Sequence, residues 1–470
     1  MASALVWLRR DLRLQDNPTL SQAIADGFDP IPVYVHAPEE ERPWSPGAAS
    51  MAWLHHSLLA LSEDIRNLGG RLVMAKGSSL AELSRLIDAS GSKALYFSNV
   101  YEPVLQPRDA LIQTAFENKG ISVRRFNSTL LFEPWQIRTG SGTPYRVFTP
   151  FWRNATAQMQ VRDAYPGAER FSDFTDPAAL SIGDLQLLPT RSWHQGFWTL
   201  WQPGEAGAAE MLEIFCDGAV TGYKEQRNLP DRTGTSKLSP HLHFGEISPQ
   251  QIWRRINQVS CDESGLVDIG HFKTELGWRE FSYHLLHHFP QSGEHNLNAQ
   301  FDGFDWVEPD AETLGRWQRG MTGIPIVDAG MRELWHTGWM HNRVRMIVAS
   351  FLCKNLRCHW LHGARWFWDT LVDADLANNS QGWQWTAGTG CDAAPYFRIF
   401  NPVTQSERFD PQARYIKRWL PELAKVPVPL VFAPWRDAEL TVLLAPDYPA
   451  LPMVDLTESR QRALAAYSSR

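Results

Sequence analysis

Two segments carry most of the information about the fold, GWMHNRVRM at residues 338–346 and DADLANNSQGWQW at residues 373–385. In the first segment, Asn342 and Met346 are four residues apart and therefore share one face of a helix. With an indole and two arginines beside them, they make a face that suits a flat, polar, aromatic ligand better than water or an apolar core. A Trp-rich helical core with ordinary salt bridges explains any one of these residues, but not the whole set. The second segment adds two indoles, two carboxylates and an amide: Trp383, Trp385, Asp373, Asp375 and Asn379.

The composition is typical of a globular protein with two or more domains. A chain of 470 residues is too long for one ordinary core, and a hydrophobic content of 43% argues against disorder. No apolar run approaches the length of a membrane helix. The first ten residues have the pattern of a strand rather than of a signal peptide. We therefore expect a cytoplasmic protein with no membrane partner.

Cysteine content and charge narrow the function classes further. The five cysteines include no Cys-x-x-Cys pair, so we expect buried free thiols and no metal site. The net charge of −7 argues against bulk non-specific binding of nucleic acid, but it leaves a local basic face open. Most of the 21 tryptophans are expected in the core. So many of them also favour stacking sites or electron-transfer chains.

Residues 1–130 alternate between strand and helix patterns, which predicts a doubly wound parallel sheet with helices on both faces. No Gly-x-Gly-x-x-Gly motif follows the first strand, so a dinucleotide site is not indicated there. Ligands of such sheets bind beyond the carboxyl ends of the strands. Strands are predicted at residues 4–8, 30–35, 71–74, 94–97 and 121–123, with helices near 50–68, 79–88 and 107–119.

Residues 131–205 are predicted to connect this α/β domain to an all-α domain at residues 206–470. The connector is rich in turn-forming residues, and its length indicates that it contains short helices. Helical spacing then continues to about residue 420 without a strand pattern. The proline-rich segment after residue 424 is expected to form an extended strap before a last helix at 457–468. Helices are predicted near residues 206–222, 249–258, 266–289, 311–319, 325–336, 339–356, 363–371 and 411–419.

Two further motifs flank the first two segments. TSKLS at residues 235–239 offers hydroxyls, backbone N–H groups and a lysine to phosphate oxygens, although a helix N-cap is the commoner explanation. DAAPYFRIFNP follows at residues 392–402. In this order, the four motifs resemble the photolyase/cryptochrome family, and within it most closely the cyclobutane pyrimidine dimer photolyases. The resemblance covers nearly the whole chain and is densest over residues 223–420.

The resemblance implies that the all-α domain binds FAD and DNA and that the α/β domain carries an antenna chromophore. Residues 235–239 match the clamp for the FAD pyrophosphate, with Lys237 where the family usually has arginine, so the bidentate fork is lost. Arg345 is expected to pair with Asp373, which places positive charge where a reduced, anionic flavin needs it. The residues that match FAD contacts are Tyr223, Thr235, Ser236, Lys237, Leu238, Ser239, Arg279, Trp339, Asn342, Arg345, Asp373 and Asp375.

The resemblance also implies the residues that meet the pyrimidine dimer. Glu275 matches a residue that hydrogen-bonds the dimer, and Trp278 and Trp385 match indoles that flank it. By spacing alone, Glu275 and Arg279 are an ordinary i,i+4 ion pair on a helix surface. The catalytic residues implied in this way are Glu275, Trp278, Met346, Asn379 and Trp385.

Three positions distinguish the activities within the family. Asn379 matches the residue that faces flavin N5, where plant cryptochromes have Asp and animal cryptochromes have Cys. An amide cannot supply the proton that Asp would, so it favours the anionic reduced flavin of a repair enzyme. Photolyases of (6-4) lesions carry two histidines at the positions of Asn342 and Met346, so this chain points to cyclobutane dimers. Single-strand-preferring cryptochromes have Gln at the position of Met346.

A local excess of basic residues favours DNA binding. Residues 331–420 hold eleven Lys or Arg against seven Asp or Glu, the reverse of the whole-chain balance. The segment 401–405 is expected to form a loop at the rim of the cavity. Candidate phosphate contacts, about half of which we expect to be ordinary surface residues, are Arg227, Arg343, Lys354, Arg357, Arg398, Arg408, Arg414, Lys417 and Arg418. The other DNA contacts implied by the resemblance are Glu275, Trp278, Asn342, Met346 and Trp385.

Trp306, Trp360 and Trp383 match the tryptophan chain that photoreduces the flavin in this family, although each is also plausible as a core residue. Glu102 follows a strand end and matches a folate contact. We therefore expect 5,10-methenyltetrahydrofolate as the antenna chromophore, with 8-hydroxy-5-deazaflavin as the alternative.

Together, these residues predict a monomeric, metal-independent enzyme that repairs cyclobutane pyrimidine dimers in UV-damaged DNA in the light. The first alternative is a cryptochrome-type blue-light photoreceptor with little or no repair activity. A light-independent flavoenzyme is a third possibility, and nothing in the sequence supplies an acid–base pair for it.

Overall fold

The structure, a computed structural model, describes residues 2–469 and begins with a five-stranded sheet. The order in the sheet is β3-β2-β1-β4-β5, and every neighbouring pair is parallel. This confirms the predicted α/β class of the N-terminal part. The strands are β1 (Ser3–Trp7), β2 (Asp29–His36), β3 (Val73–Lys76), β4 (Ala94–Ser98) and β5 (Ser122–Phe126).

Each pair of consecutive strands is joined through a helix, as parallel strands require. Successive residues of β1 point to opposite faces of the sheet, so Ala4 and Val6 enter one core and Leu5 and Trp7 enter another. The sheet is therefore covered on both faces. The connecting helices are α1 (Pro18–Ala25), α2 (Ala48–Asn67), α3 (Ser79–Ser90) and α4 (Leu105–Glu117).

The rest of the described chain is helical, which confirms the predicted all-α class. Residues 131–205 contain one α-helix and two short 3-10 helices, and the division into domains at residues 130 and 205 stays a prediction. The helices are α5 (Phe148–Gln158), α6 (Glu205–Asp217), α7 (Tyr223–Gln226), α8 (Ser239–Phe244), α9 (Pro249–Ile256), α10 (Glu263–His288), α11 (Ala311–Gln318), α12 (Pro325–Thr337), α13 (Asn342–Ser350), α14 (Trp360–Thr370), α15 (Leu376–Ala387), α16 (Pro402–Phe409), α17 (Arg414–Trp419), α18 (Ala438–Leu444) and α19 (Leu456–Ser468).

Helices α10, α13 and α15 pack together and position the site. A fourth helix, α14, approaches α15 at a glycine, because a Cβ on Gly363 would lie 2.0 Å from the Trp383 ring. After Ser350 the chain continues α13 as a π-helix over Phe351–Asn355, closed by a hydrogen bond from Leu356 N to Phe351 O of 3.0 Å.

Three local predictions differ from the structure. Helix α15, which begins behind the N-cap Asp375, was not among the predicted helices, although most of it lies in the segment 373–385. The predicted loop 401–405 is wrong, because Asn401 caps α16 by accepting from the backbone N–H groups of Val403 and Thr404. The predicted strap after residue 424 also contains a helix, α18, capped by Asp437.

No helix within residues 2–469 is long and apolar enough to cross a membrane. All five cysteines are free, and Cys216, Cys353 and Cys358 are buried, whereas Cys261 and Cys391 are partly exposed. Residues 2–469 contain no group of three or more His, Cys, Asp or Glu side chains arranged to hold a metal ion.

Candidate flavin and DNA site

A cavity of about 600 Å³ lies between α8, α10, α13 and α15. Residues of the segments 338–346 and 373–385 form two of its walls, and α10 forms a third. All five residues predicted to be catalytic line it, together with most of those predicted to bind FAD. The predicted residues on its wall are Tyr223, Arg227, Ser236, Leu238, Ser239, Glu275, Trp278, Arg279, Asn342, Arg343, Arg345, Met346, Asp373, Asp375, Asn379, Trp383 and Trp385.

One side of the cavity is built around the carboxylate of Asp373. Nη2 of Arg345 lies 3.1 and 2.8 Å from its two oxygens, which confirms the predicted ion pair. The Ser239 hydroxyl donates to the same carboxylate at 2.7 Å. Arg345 is held in turn by a hydrogen bond from its Nε to the Met340 carbonyl at 2.7 Å. This guanidinium is therefore fixed, and an ion pair lies in the cavity wall next to the start of α15.

A second carboxylate, Asp375, lies deeper and is buried. It caps α15 by accepting from Asn378 N at 2.8 Å, and the Tyr283 hydroxyl donates to its other oxygen. Burial alone would raise the pKa of Asp375, but hydrogen bonds and nearby positive charge bring it below its ordinary value. Asp375 is therefore a buried anion in the cavity wall.

His243 connects this anion to the α/β part of the molecule. Its Nε2 lies 3.0 Å from Nη1 of Arg10, which can only donate, so Nε2 is the acceptor and the proton sits on Nδ1. Nδ1 faces Asp375 at 3.7 Å. Burial is the largest cause that lowers the pKa of His243, which favours the neutral ring.

The opposite side of the cavity carries the residues predicted to meet the lesion. Glu275 forms an ion pair with Arg227, the C-cap of α7, instead of the i,i+4 pair with Arg279. Arg279 donates to the Thr129 carbonyl at 2.7 Å. The partly buried indole of Trp278 stacks on Phe148, with ring centroids 3.8 Å apart and an interplanar angle of 9°.

Asn379 lies on α15 between these two sides. Its amide nitrogen donates to the Ala364 carbonyl at 3.0 Å, which fixes the side chain against α14. Because an amide does not ionise, the position has no proton to release to a ligand in the cavity.

A shallow groove of about 360 Å³ adjoins the cavity and shares Asn228 and Arg343 with it. Three arginines, Arg343, Arg398 and Arg408, line the groove. Desolvation and the neighbouring arginines lower the pKa of Arg343. The groove is therefore a concentrated positive surface beside the cavity mouth.

Three other predicted phosphate contacts bind partners within the protein. Lys354 is wrong as a phosphate contact, because it is fully buried and its Nζ donates to two backbone carbonyls. Arg357 forms an ion pair with Asp305 at 2.6 Å, and Arg414 forms one with Asp231. Both are partly exposed pairs, so neither arginine is closed to solvent.

Three residues predicted to bind FAD do not line the cavity. Thr235 and Lys237 lie in the turn before α8, whose other residues Ser236, Leu238 and Ser239 reach the wall. Trp339 is buried in the core shared with the sheet, where its ring meets Trp201 edge-on at 6.2 Å.

The three tryptophans predicted to form an electron-transfer chain differ in burial. Trp383 lines the wall and is buried, Trp360 is fully buried on α14, and Trp306 is partly exposed. The imidazole of His359 lies between the outer two, with ring centroids 5.3 Å from Trp306 and 5.5 Å from Trp360.

Sequence reasoning missed several residues of the site. His243 belongs to the run PHLHFGE at residues 240–246, directly after TSKLS, so its place near the clamp was a usable signal. Phe148 lies in the connector, where no periodic pattern marks it. The residues that line the cavity or support its wall without having been predicted include Phe148, Asn228, His243, Ser282 and Asn378.

A second, small cavity of about 60 Å³ lies where the α/β part meets α15 and residues 290–294. Glu102, the predicted antenna contact, lines it with Glu294 and Arg10. Arg10 Nη2 lies 3.7 Å from Glu102 and 3.2 Å from Glu41. Arg10 also contacts His243 in the wall of the large cavity, so two side chains link the walls of the two cavities.

Family models match both halves of the chain. Residues 4–169 match the model described as DNA photolyase, and residues 272–469 match the FAD binding domain of DNA photolyase. A deoxyribodipyrimidine photo-lyase of Agrobacterium fabrum is 45% identical over 475 residues, covering 100% of this chain and 98% of that protein. The chain belongs to the photolyase/cryptochrome family.

Both branches of the family are among the similar proteins. Cryptochrome-1 of Arabidopsis thaliana is 36% identical, covering 99% of this chain and 70% of that protein. The crystal structure of a class III photolyase from Agrobacterium tumefaciens superimposes with a TM-score of 0.93 at 43% identity, covering 100% and 98% of the two chains. An archaeal photolyase from Sulfolobus tokodaii, solved with two FAD molecules, has a TM-score of 0.85 at 30% identity and covers both chains fully.

The cavity residues fit FAD, the cofactor of this family's binding domain. A fixed guanidinium, two buried carboxylates and a serine hydroxyl offer charged and hydrogen-bonding partners at one side of a space of about 600 Å³. Apolar side chains of Leu238, Leu276 and Leu285 complete the wall, as is usual for cofactor sites.

Proposed function

We propose that this photolyase-family protein repairs cyclobutane pyrimidine dimers in DNA in a light-dependent reaction. The observation that carries the proposal is that one cavity joins a flavin-type wall to two partly buried indoles, Trp278 and Trp385. When bound, reduced FAD supplies, on absorbing blue light, the electron that splits the cyclobutane ring and is afterwards returned by the product.

FAD binding is assigned to the wall around Asp373. Arg345 and Asp373 hold a fixed pair of charges there, and the turn before α8 offers Ser236 and Ser239 for phosphate oxygens. Thr235 and Lys237 belong to the same turn, so their backbone shapes the clamp. Trp339 acts at a distance, since it lies 5.8 Å from the Arg345 guanidinium and supports it.

The lesion is assigned to the space between the indoles. A dimer inside a base stack cannot reach a buried flavin, so it must be flipped out, at a cost of a few kcal/mol that is smaller for a damaged pair. Stacking on Trp278 and Trp385 offsets that cost by roughly 1–3 kcal/mol for each base. Glu275 and Met346 supply a hydrogen-bonding group and a polarisable contact on the same side of the cavity.

DNA binding is assigned to the groove beside the mouth. Arg343, Arg398 and Arg408 are placed to contact phosphates of the strand that carries the dimer. Arg227 is paired with Glu275, so it sets the position of that carboxylate and lies near the same strand.

Asn379 favours repair over signalling. Its amide is held against Ala364 and has no ionisable proton, so it does not protonate a reduced flavin beside it. The cryptochrome alternative is kept because plant cryptochromes are among the similar proteins, at 36–37% identity.

An antenna chromophore is assigned to the cavity lined by Glu102. Its volume of about 60 Å³ leaves the greater part of a folate on the surface between the α/β part and α15. Folate is the first choice and a deazaflavin the second, and the absorption spectrum of the protein as purified distinguishes them.

The proposal is tested by illuminating the purified, reduced protein with two duplexes, one with a single cyclobutane thymine dimer and one with a single (6-4) photoproduct. We expect the protein to remove the cyclobutane dimer in the light and not in the dark. Repair of the (6-4) product instead would contradict the substrate assignment. Normal FAD binding with no repair of either duplex would favour the photoreceptor.

A further inference from the structure

Lys354 lies where the helix that carries Arg343 and Met346 changes to π geometry. Its side chain is fully buried, and it belongs to the π segment Phe351–Asn355. A π turn adds a residue to the helix, and such turns are frequent at functional sites. This turn places an ammonium group in the interior, away from any DNA phosphate.

Three partners surround the ammonium group. Nζ donates to the Ala387 carbonyl at 2.8 Å and to the Tyr396 carbonyl at 3.0 Å. It also lies 3.5 Å from the centroid of the Tyr396 ring. Two carbonyls and one ring face match the three N–H groups of the cation. Burial lowers the pKa of Lys354 to about 7, which reflects the free-energy cost of desolvating its ammonium group. The three contacts offset part of that cost.

The first carbonyl fixes one side of the lesion space. Ala387 is the last residue of α15 and follows Trp385 by two positions. The next residue, Gly388, ends the helix in the left-handed region with a φ of 85°. Lys354 therefore holds the end of the helix that presents Trp385.

The second carbonyl fixes the opposite side through the segment 388–401. This segment contains Asp392, whose carboxylate accepts from the backbone N–H of Phe148 at 2.9 Å. Phe148 stacks on Trp278 at 3.8 Å. The segment 388–401 therefore supports Trp278 through Phe148. The hydrogen bonds of Lys354 link this segment to the end of α15, which carries Trp385.

We propose that Lys354 is a positioning residue for the lesion, whose ammonium group sets the spacing between Trp278 and Trp385. The inference rests on the proposed function, because the spacing acts on the dimer in the same cavity. Lys354 does not line the cavity, so it acts only through the segment 388–401 and α15.

The test compares Lys354→Met with Asn355→Ala. Asn355 is a matched control because it is buried in the same π segment but donates to Ser459 on α19 at 2.8 Å. FAD content and thermal stability are measured for both variants. The decisive readouts are the dark affinity for a duplex with one cyclobutane dimer and hydrogen exchange of residues 388–401 in the DNA-free protein.

Lys354→Met is expected to weaken the dark affinity about tenfold and to speed exchange in the segment, whereas Asn355→Ala changes the affinity less than about twofold. Equal affinities for the two variants would overturn the proposal. If Lys354→Met does not fold, Tyr396→Leu removes the ring face and keeps both carbonyls, and an unchanged affinity there would overturn it. A wild-type protein without preference for dimer-containing DNA would refute the proposed function, while the exchange readout would still decide the role of Lys354.

Discussion

The ring of Phe148 lies parallel to the indole of Trp278 at a centroid distance of 3.8 Å, so the indole is supported on one face before any ligand binds. Phe148 is itself held by its backbone hydrogen bond to Asp392. A side chain fixed in this way loses little freedom when a base stacks on it, which favours binding.

Replacing Trp278 with Ala is expected to weaken the dark affinity for dimer-containing duplex about tenfold, since stacking contributes ~1–3 kcal/mol per base. Trp152→Ala is the control, because Trp152 belongs to the same aromatic group but does not line the cavity. Fluorescence anisotropy measures both. Equal losses in the two variants would mean that Trp278 acts only as a core residue.

Replacing Glu275 with Ala is expected to lower the repair yield per absorbed photon about tenfold, since a hydrogen bond to a charged group contributes ~1.5–3 kcal/mol. The dark affinity should change less, because the indoles and arginines remain. Glu225→Gln is the surface control on the neighbouring helix α7. The assignment fails if the yield of the Glu275 variant equals that of the control.

Replacing Arg398 with Ala is expected to weaken binding to damaged and undamaged DNA alike and to reduce the salt slope of the affinity by roughly 0.9. Arg357→Ala serves as the comparison, because Arg357 is paired with Asp305 and lies outside the groove. Titrations at several salt concentrations give the slope. An unchanged slope for Arg398→Ala would remove the groove from the DNA interface.

Replacing Trp306 with Phe is expected to slow the light-driven reduction of oxidised FAD by an external donor, since Trp306 is the outer, partly exposed member of the chain. Repair by protein that has been reduced chemically beforehand should not change. Absorption under illumination follows the reduction. If the rate of photoreduction did not change, Trp306 would have only a packing role.

The contribution of two buried glutamates to stability should fall as the pH rises towards about 7. Burial raises the pKa of Glu280 and of Glu333 from 4.5 to about 7. Between these values each of these two carboxyl groups binds more proton in the folded than in the unfolded state, so its contribution to the free energy of unfolding decreases with pH. In denaturant titrations between about pH 5 and pH 8, the free energy of unfolding of the wild type minus that of Glu280→Gln should therefore decrease as the pH rises. An identical pH dependence would contradict the shift at Glu280.

The sequence predicted the parts of the site that are carried by contiguous motifs. Arg345 and Asp373 lie in the two opening segments, and their ion pair is observed as expected. The two classes of fold were also predictable, because strand and helix periodicities change near residue 130.

The parts that depend on packing between distant segments were not predictable. Phe148 supports Trp278 from a connector without periodicity, and the buried position of Lys354 results from a π turn that has no signature in the sequence. Trp339 matches a flavin contact by motif, but it is buried in the core that covers one face of the sheet. Local patterns identify which residues share a helix face, whereas tertiary contacts decide which side chains reach the cavity.

Light-dependent repair itself is tested by counting cyclobutane dimers in a defined duplex before and after blue illumination of the purified, chemically reduced protein. We expect loss of more than one dimer per protein molecule in the light and no loss in the dark. Dimers that persist in the light, in protein that carries reduced FAD and binds the duplex, would contradict it.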